Sequence, residues 1–397
     1  MSGGNMEKVL RMMADKNASD VFLSANMPIL IKIHGQMLQL SDQSLTPGQP
    51  RQLLAELLSP QQLEELDDTG ELNLGLAMEG LGSFRLSAFR QRGSTAAVIR
   101  HIPHLIPSLD SLNLPPLLSQ LVLEKRGLIL MVGATGTGKS TTLAAMLEER
   151  NKQVAGHILT IEDPIEFMFS NKRSLINQRE VGRDTETLQT ALRNALRQAP
   201  DCILIGEIRD RPTMSMALAY AQTGHLCLAT LHANNSYHAM NRIINFYPLE
   251  TRPSLLLDLA AALQAVISLR LVRTKSGARV PAVEILLNTR NISELIEKGE
   301  ISQIKEALEK SLAPGSQTFE QALFKLFMDG RITQEEALTN ADSASNMLWL
   351  INQATAGDMS LSGAAKPPAR PAEERKEGAP AGGAGPTFND FKIDVNA

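Results

Sequence analysis

The hydrophobic pattern changes character along the chain. Residues 128–132, 157–161, 202–205 and 226–231 are short, nearly unbroken apolar runs, the pattern of strands buried on both faces. Between them, 187–198 and 213–222 carry apolar residues at helical spacing, so the middle of the chain predicts strands alternating with helices around a parallel sheet. The first hundred residues read differently. A short helix over 6–16 precedes strands over 20–23 and 28–33, with Ile29, Ile31 and Ile33 on one face and a turn at Gly35. Thr46-Pro47-Gly48-Gln49 and Ser59-Pro60-Gln61-Gln62 both have capping-box spacing and start two helices. Strands over 71–77, 82–89 and 95–100 complete a small α+β domain with an antiparallel sheet, over 1–107.

Prolines 103, 107, 115 and 116 punctuate the next stretch, and 108–118 reads as the interdomain linker to the alternating strand–helix domain over 119–290. After 290, apolar positions over 294–304, 318–328 and 333–338 predict a helical subdomain over 291–355. From 356 to 397 the composition turns to Ala, Gly, Pro and mixed charge, which cannot bury enough surface to offset ordering entropy, so a disordered tail is expected. Residues 387–393 at its end read as a frayed terminus or a short docking motif.

Candidate chemistry gathers where the buried runs end. The first run is followed by Gly133-Ala134-Thr135-Gly136-Thr137-Gly138-Lys139-Ser140-Thr141, which satisfies G-x-x-x-x-G-K-[ST] and leads into helix-like 142–147. Glycines let the backbone wrap phosphate oxygens, and the helix start offers N–H groups and a positive dipole end to the same anion. Lys139 would reach the β/γ-phosphates and Ser140 would ligate Mg²⁺. With this loop, the alternating pattern describes a RecA-like sheet whose nucleotide lies at the carboxyl ends of the strands.

The second run ends in Glu162-Asp163-Pro164-Ile165-Glu166. Carboxylates there would lie beside the phosphates, where a base orients water. The same residues fit an Asp N-cap with Glu at N3, and spacing alone leaves both readings open. Glu207 ends the third run at a Walker B position, where a carboxylate holds Mg²⁺ through its water shell. His232 ends the fourth, where a histidine is structural or lines the same sheet edge. In the first domain, Arg85, Arg90, Arg92 and Arg100 concentrate on two adjacent strands. They form a solvated sheet face, or some of them reach a nucleotide held by a neighbouring domain or subunit. Alternation prevents all four from serving one site.

Composition narrows the partners. The charge of −4 over 397 residues gives no footprint for non-specific nucleic-acid binding. Cys202 and Cys227 lie inside apolar runs and read as buried free thiols. No run forms a signal-peptide core or approaches the ~20 apolar residues of a membrane span, so any membrane role is expected to be peripheral.

Four segments together carry a family resemblance. Gly133 to Thr141, Thr160-Ile161-Glu162-Asp163-Pro164-Ile165-Glu166-Phe167, Ile205-Gly206-Glu207-Ile208-Arg209-Asp210 and Ala229-Thr230-Leu231-His232 resemble the Walker A, Asp box, Walker B and His box of the secretion and type IV pilus ATPases. From about residue 5 to 355 the chain resembles the PilT/PilU retraction branch, and it lacks the four-cysteine insertion common in extension and secretion relatives. The runs 224–235, 317–323 and 336–344 are similar to the PilU side. The A-I-R-N-L-I-R-E motif of the PilT side is replaced by Asn291-Ile292-Ser293-Glu294-Leu295-Ile296-Glu297. The resemblance implies a cytoplasmic homohexamer at the inner face of the bacterial inner membrane, with a PAS-like N-terminal domain. It would couple ATP hydrolysis with Mg²⁺ to pilus retraction, acting on the inner-membrane platform protein as an accessory to a PilT-like retraction ATPase. It assigns phosphate and Mg²⁺ binding to Lys139 and Ser140, water activation to Glu166 and the Walker B role to Glu207. Arg85 and Arg100 become the preferred arginines acting in trans, and His232 senses the phosphate or couples it to the next subunit. Two other functions stay open: an ATP-binding structural partner of the motor that does not power retraction, and a RecA-like nucleic-acid translocase.

Overall fold

The computed structural model describes residues 4–16, 18–33, 36–78, 81–102 and 105–361. Two compact units divide at Leu105/Ile106. The turn expected at Gly35, and the tail from residue 362 with its 387–393 segment, lie outside the described residues.

The first unit begins with α1 (Asn5–Asp15), β1 (Asp20–Leu23), β2 (Leu30–Ile33) and β3 (Gln36–Gln39). Two helices follow, α2 (Gln49–Leu54) and α3 (Pro60–Thr69), then β4 (Glu71–Met78), β5 (Gly82–Gln91) and β6 (Ser94–Ile102). The strands form one antiparallel sheet in the order β3-β2-β1-β6-β5-β4. Phe84, Leu86 and Ile99 on its inner face pack with Met6 and Leu10 of α1 and Leu54 of α2. At α3 the full capping box forms between Ser59 and Gln62. At α2 only half of it does: the Thr46 N–H donates to the Gln49 side chain at 2.6 Å, but the helix starts after Gly48, with no side-chain cap. Strand β3 escapes sequence reading because its residues are mostly exposed, without an apolar alternation.

The second unit opens with α4 (Leu117–Val122), β7 (Gly127–Val132), α5 (Lys139–Gln153), β8 (Gly156–Glu162) and β9 (Ser174–Glu180). Next come α6 (Leu188–Ala195), β10 (Cys202–Ile205), α7 (Arg211–Gln222), β11 (Leu226–Leu231) and α8 (Ser236–Asn245). Then follow α9 (Arg252–Ala262), β12 (Leu263–Arg273) and β13 (Arg279–Leu287). The sheet order is β13-β12-β7-β11-β10-β8-β9, parallel except for the β12–β13 pair. Alternation explains the unbroken apolar runs. Leu128, Leu130 and Val132 of β7 enter the core covered by α6–α9, while Ile129 and Met131 enter the opposite core with α4 and α5. Cys202 and Cys227 are buried free thiols, and burial pushes the Cys202 thiol up to about 12.

The segment expected as a linker contributes to this unit. Leu109 and Leu114 pack with Leu118 into the α4–α5 core, so its proline-rich composition marks irregular backbone rather than a lack of packing. Downstream lie α10 (Arg290–Lys298), α11 (Ile304–Glu309), α12 (Phe319–Met328), α13 (Gln334–Asn340) and α14 (Ala344–Leu361). The helix expected over 294–304 is broken at Gly299, whose left-handed φ of 73° closes α10. The helices also divide. Those of α10 and α11 join the main core through Ile292, Ile296 and Ile304, whereas α12–α14 form a separate cluster with Val272, Val280 and Ala282 of the outer β12–β13 hairpin. Helix α14 continues to Leu361, past the boundary expected for the tail.

Candidate functional site

Four strand ends build the site, adjacent in the sheet as β7, β11, β10 and β8. At the end of β7, Gly133, Gly136 and Gly138 have φ of 154°, 79° and 93°, values that residues with a Cβ rarely adopt. A Cβ on Gly133 would lie 2.8 Å from the Leu269 carbonyl oxygen and 2.5 Å from Thr137 Oγ1. Helix α5 then starts without a side-chain cap, as a helix reserved for an anion does. The Lys139 Nζ is buried and donates to the carbonyls of Gly133 and Ala134, each at 2.8 Å. Burial lowers the Lys139 pKa, opposed by the charges of Glu207 and then Glu166. Both predicted carboxylates therefore bear on this lysine.

At the end of β8 no helix begins at Asp163, which follows Glu162 and makes a cis bond to Pro164. The N-cap reading of this segment is thus not realised. Residues 163–170 run as irregular backbone and leave Glu166 exposed. At the end of β10, Glu207 accepts from Arg209 Nε at 2.6 Å and faces His232 Nε2 at 3.4 Å. Arg209 also stands 3.7 Å from Asp163, linking the two acidic segments. Strand ends β10 and β11 are stitched by Thr230, whose hydroxyl donates to the Gly206 carbonyl and whose carbonyl accepts from Ile208 N–H at 2.9 Å.

The segment beyond His232 is anchored from behind. Arg242 donates to the His232 carbonyl at 2.9 Å. Asn235 caps α8 and donates to Asp342 at 2.7 Å, while the Ser236 N–H donates to the buried Glu284 carboxylate at 2.7 Å. Arg270 pairs with Asp342 and stacks 3.8 Å over the Phe319 ring. Sequence reading missed this network, and the link from Arg209 to Asp163, because their members come from separate elements.

The predicted arginines belong to the first unit. Arg85 and Arg100 are direct cross-strand partners and so share a face of the sheet. Arg100 Nε donates to Asp20 at 2.8 Å. The other two are placed differently: Arg90 donates to the Asp67 carbonyl at the end of α3, and Arg92 occupies the β5–β6 turn at φ 48°.

The donor set fits a nucleoside triphosphate with a divalent cation. The loop would offer a phosphate its backbone N–H groups and the Lys139 ammonium. Among the described residues no cluster of three or more His, Cys, Asp or Glu forms a protein-only metal cage. A cation here would be held as phosphate-bound Mg²⁺ is held, by the Ser140 hydroxyl and, through water, Glu207.

Residues 5–284 match the model of the type II/IV secretion system proteins. The chain belongs to that family. It is 45% identical to the type IV pilus ATPase PilU of Pseudomonas aeruginosa, over 89% of this chain and 92% of that protein. It is 36% identical to the type IV pilus retraction ATPase PilT of the same organism, over 86% and 99% respectively. The crystal structure of the pilus retraction motor PilT with bound ADP superposes with a TM-score of 0.80 at 38% identity, covering 85% of this chain and 97% of that one. The expected family resemblance and the RecA-like fold behind a smaller α+β unit are thereby borne out. No helix among the described residues is long and apolar enough to cross a membrane.

Membership of the family makes the loop geometry testable. Gly133→Ala is expected to weaken ATP binding at least about tenfold, because the added Cβ meets the Leu269 carbonyl oxygen as well as the Thr137 side chain, and the backbone oxygen cannot swing away. Fluorescent-nucleotide titration measures it; unchanged affinity would show that the loop adapts.

Proposed function

We propose that this chain is an ATP-hydrolysing motor subunit for type IV pilus retraction. The observation that carries the reading is the convergence of Lys139, Glu166 and Glu207 at neighbouring strand ends, with the two carboxylates acting on one buried lysine. The segment Gly133 to Thr141, with Ala134, Thr135, Gly136, Thr137 and Gly138 in its bend, wraps the phosphates, and Lys139 offsets their charge. Ser140 and Glu207 hold Mg²⁺, whose chemistry is to neutralise charge on the transferring phosphoryl group. Glu166 orients the attacking water and accepts its proton. His232, against Glu207, reports the state of the phosphate site to the segment leading into α8.

Arg85 and Arg100 would act in trans from a neighbouring subunit of a homohexamer, a reading supported by their shared face. The ring would work at the cytoplasmic face of the inner membrane, on the platform protein and beside a PilT-like ATPase, as suggested by the similarity to PilU. The replaced segment 291–297, within α10, favours one second reading: a nucleotide-binding partner that stabilises the motor without powering it.

The purified full chain should hydrolyse ATP only with Mg²⁺, and DNA or RNA should leave the rate unchanged. Absence of Mg²⁺-dependent hydrolysis would overturn the enzymatic reading. Stimulation by nucleic acid would favour a translocase.

A further inference from the structure

The segment that carries Glu166 has no regular secondary structure of its own, yet its backbone is tied at Ile165, Phe167 and Phe169 by side chains from β9. Parallel register pairs Thr160 with Gln178 and Glu162 with Glu180. Since alternate residues of a strand share a face, these four polar side chains lie together on one face of the sheet edge. Gln178 Nε2 donates to the Phe167 carbonyl at 2.8 Å and its Oε1 accepts from Phe169 N–H at 2.9 Å. The same amide donates to Glu162 Oε1 at 3.2 Å. Glu180 accepts from Ile165 N–H at 3.1 Å. Glu162 accepts from the Thr160 hydroxyl at 2.7 Å.

We infer that Gln178 is a positioning residue for ATP hydrolysis, acting through Glu166 by clamping the backbone on its C-terminal side against the Glu162 carboxylate. This rests on the reading of Glu166 as the group that orients water. Gln178 lies outside all four segments that carry the family resemblance, on a strand whose exposed residues Leu175 and Asn177 give it no buried-strand signature. Its amide is suited to the task because it donates and accepts at once, fixing both the Phe167 carbonyl and the Phe169 N–H. A carboxylate can only accept, and Glu180 holds the N-terminal side of the segment at the Ile165 N–H. A carboxylate set on an irregular segment is useful only if that segment is rigid, because a misplacement of ~1 Å costs up to about a hundredfold in rate.

The test uses the full-length purified chain with Gln178→Leu, and with Gln178→Met as the second variant, which keeps the side-chain length. Either should lower kcat about tenfold or more and leave the KM for ATP and the affinity for a fluorescent ATP analogue within about twofold. In a Glu166→Ala background, single-turnover hydrolysis with enzyme in excess should fall by less than about twofold when Gln178→Leu is added, since the group being positioned is gone. An unchanged kcat, a loss of nucleotide affinity matching the loss of rate, or the same fold-loss in both backgrounds would overturn the inference. Failure of the underlying reading has a separate signature: Glu166→Ala alone would then turn over normally, whatever Gln178 does.

Discussion

Glu166→Ala is expected to lower ATP turnover about a hundredfold or more while leaving ATP affinity nearly unchanged. A positioned base contributes on the order of 10²–10⁴ to rate. Among the described residues the exposed Glu166 side chain makes no hydrogen bond that its loss would break, and its influence on the P-loop is electrostatic, through Lys139. Binding depends instead on the loop and on Lys139. Steady-state hydrolysis paired with nucleotide titration separates the two quantities. Normal turnover in Glu166→Ala would move the base elsewhere, with Glu207 the first alternative because it too bears on Lys139.

Lys139→Ala should instead abolish tight nucleotide binding. Removing a charge-assisted contact to phosphate costs about 1.5–3 kcal/mol, which is about ten- to a hundredfold or slightly more in affinity. Turnover should fall further still, because the same charge stabilises the transferring phosphoryl group. The substitution also takes two hydrogen bonds from the carbonyls of Gly133 and Ala134, so the loop loses an internal tie. Calorimetric titration with an ATP analogue measures the affinity. In cells, the variant decides between the two functional readings: pilus retraction supported by Lys139→Ala would favour a partner that does not power the motor.

Much of the architecture was legible because β7, β8, β10 and β11 are buried on both faces, which writes an unbroken apolar run into the sequence. The site residues were legible for a related reason. A strand end in a parallel sheet faces the ligand crevice, so Glu207 could be placed by position and Lys139 by its glycine-rich motif, while position left His232 open between a structural and a site role. Glu166 could not be placed by position alone. Its segment fitted a helix cap equally well by spacing; the family resemblance favoured the site, and the irregular path after Glu162 shows that no helix starts there. Gln178 and Arg209 were invisible for another reason. Each matters through a partner brought near by the fold: Phe167 and Glu162 for Gln178, Asp163 for Arg209. Composition misled at 108–118, where prolines suggested a linker although Leu109 and Leu114 are core residues. A local helical period also ran through Gly299, where a left-handed backbone ends α10.

The central claim is that hydrolysis at Glu166 drives retraction, and it is tested most directly in cells lacking this chain, in the presence and absence of a PilT-like partner. Retraction should return with the intact chain and fail to return with a stably expressed Glu166→Ala chain; equal restoration by both would contradict the account.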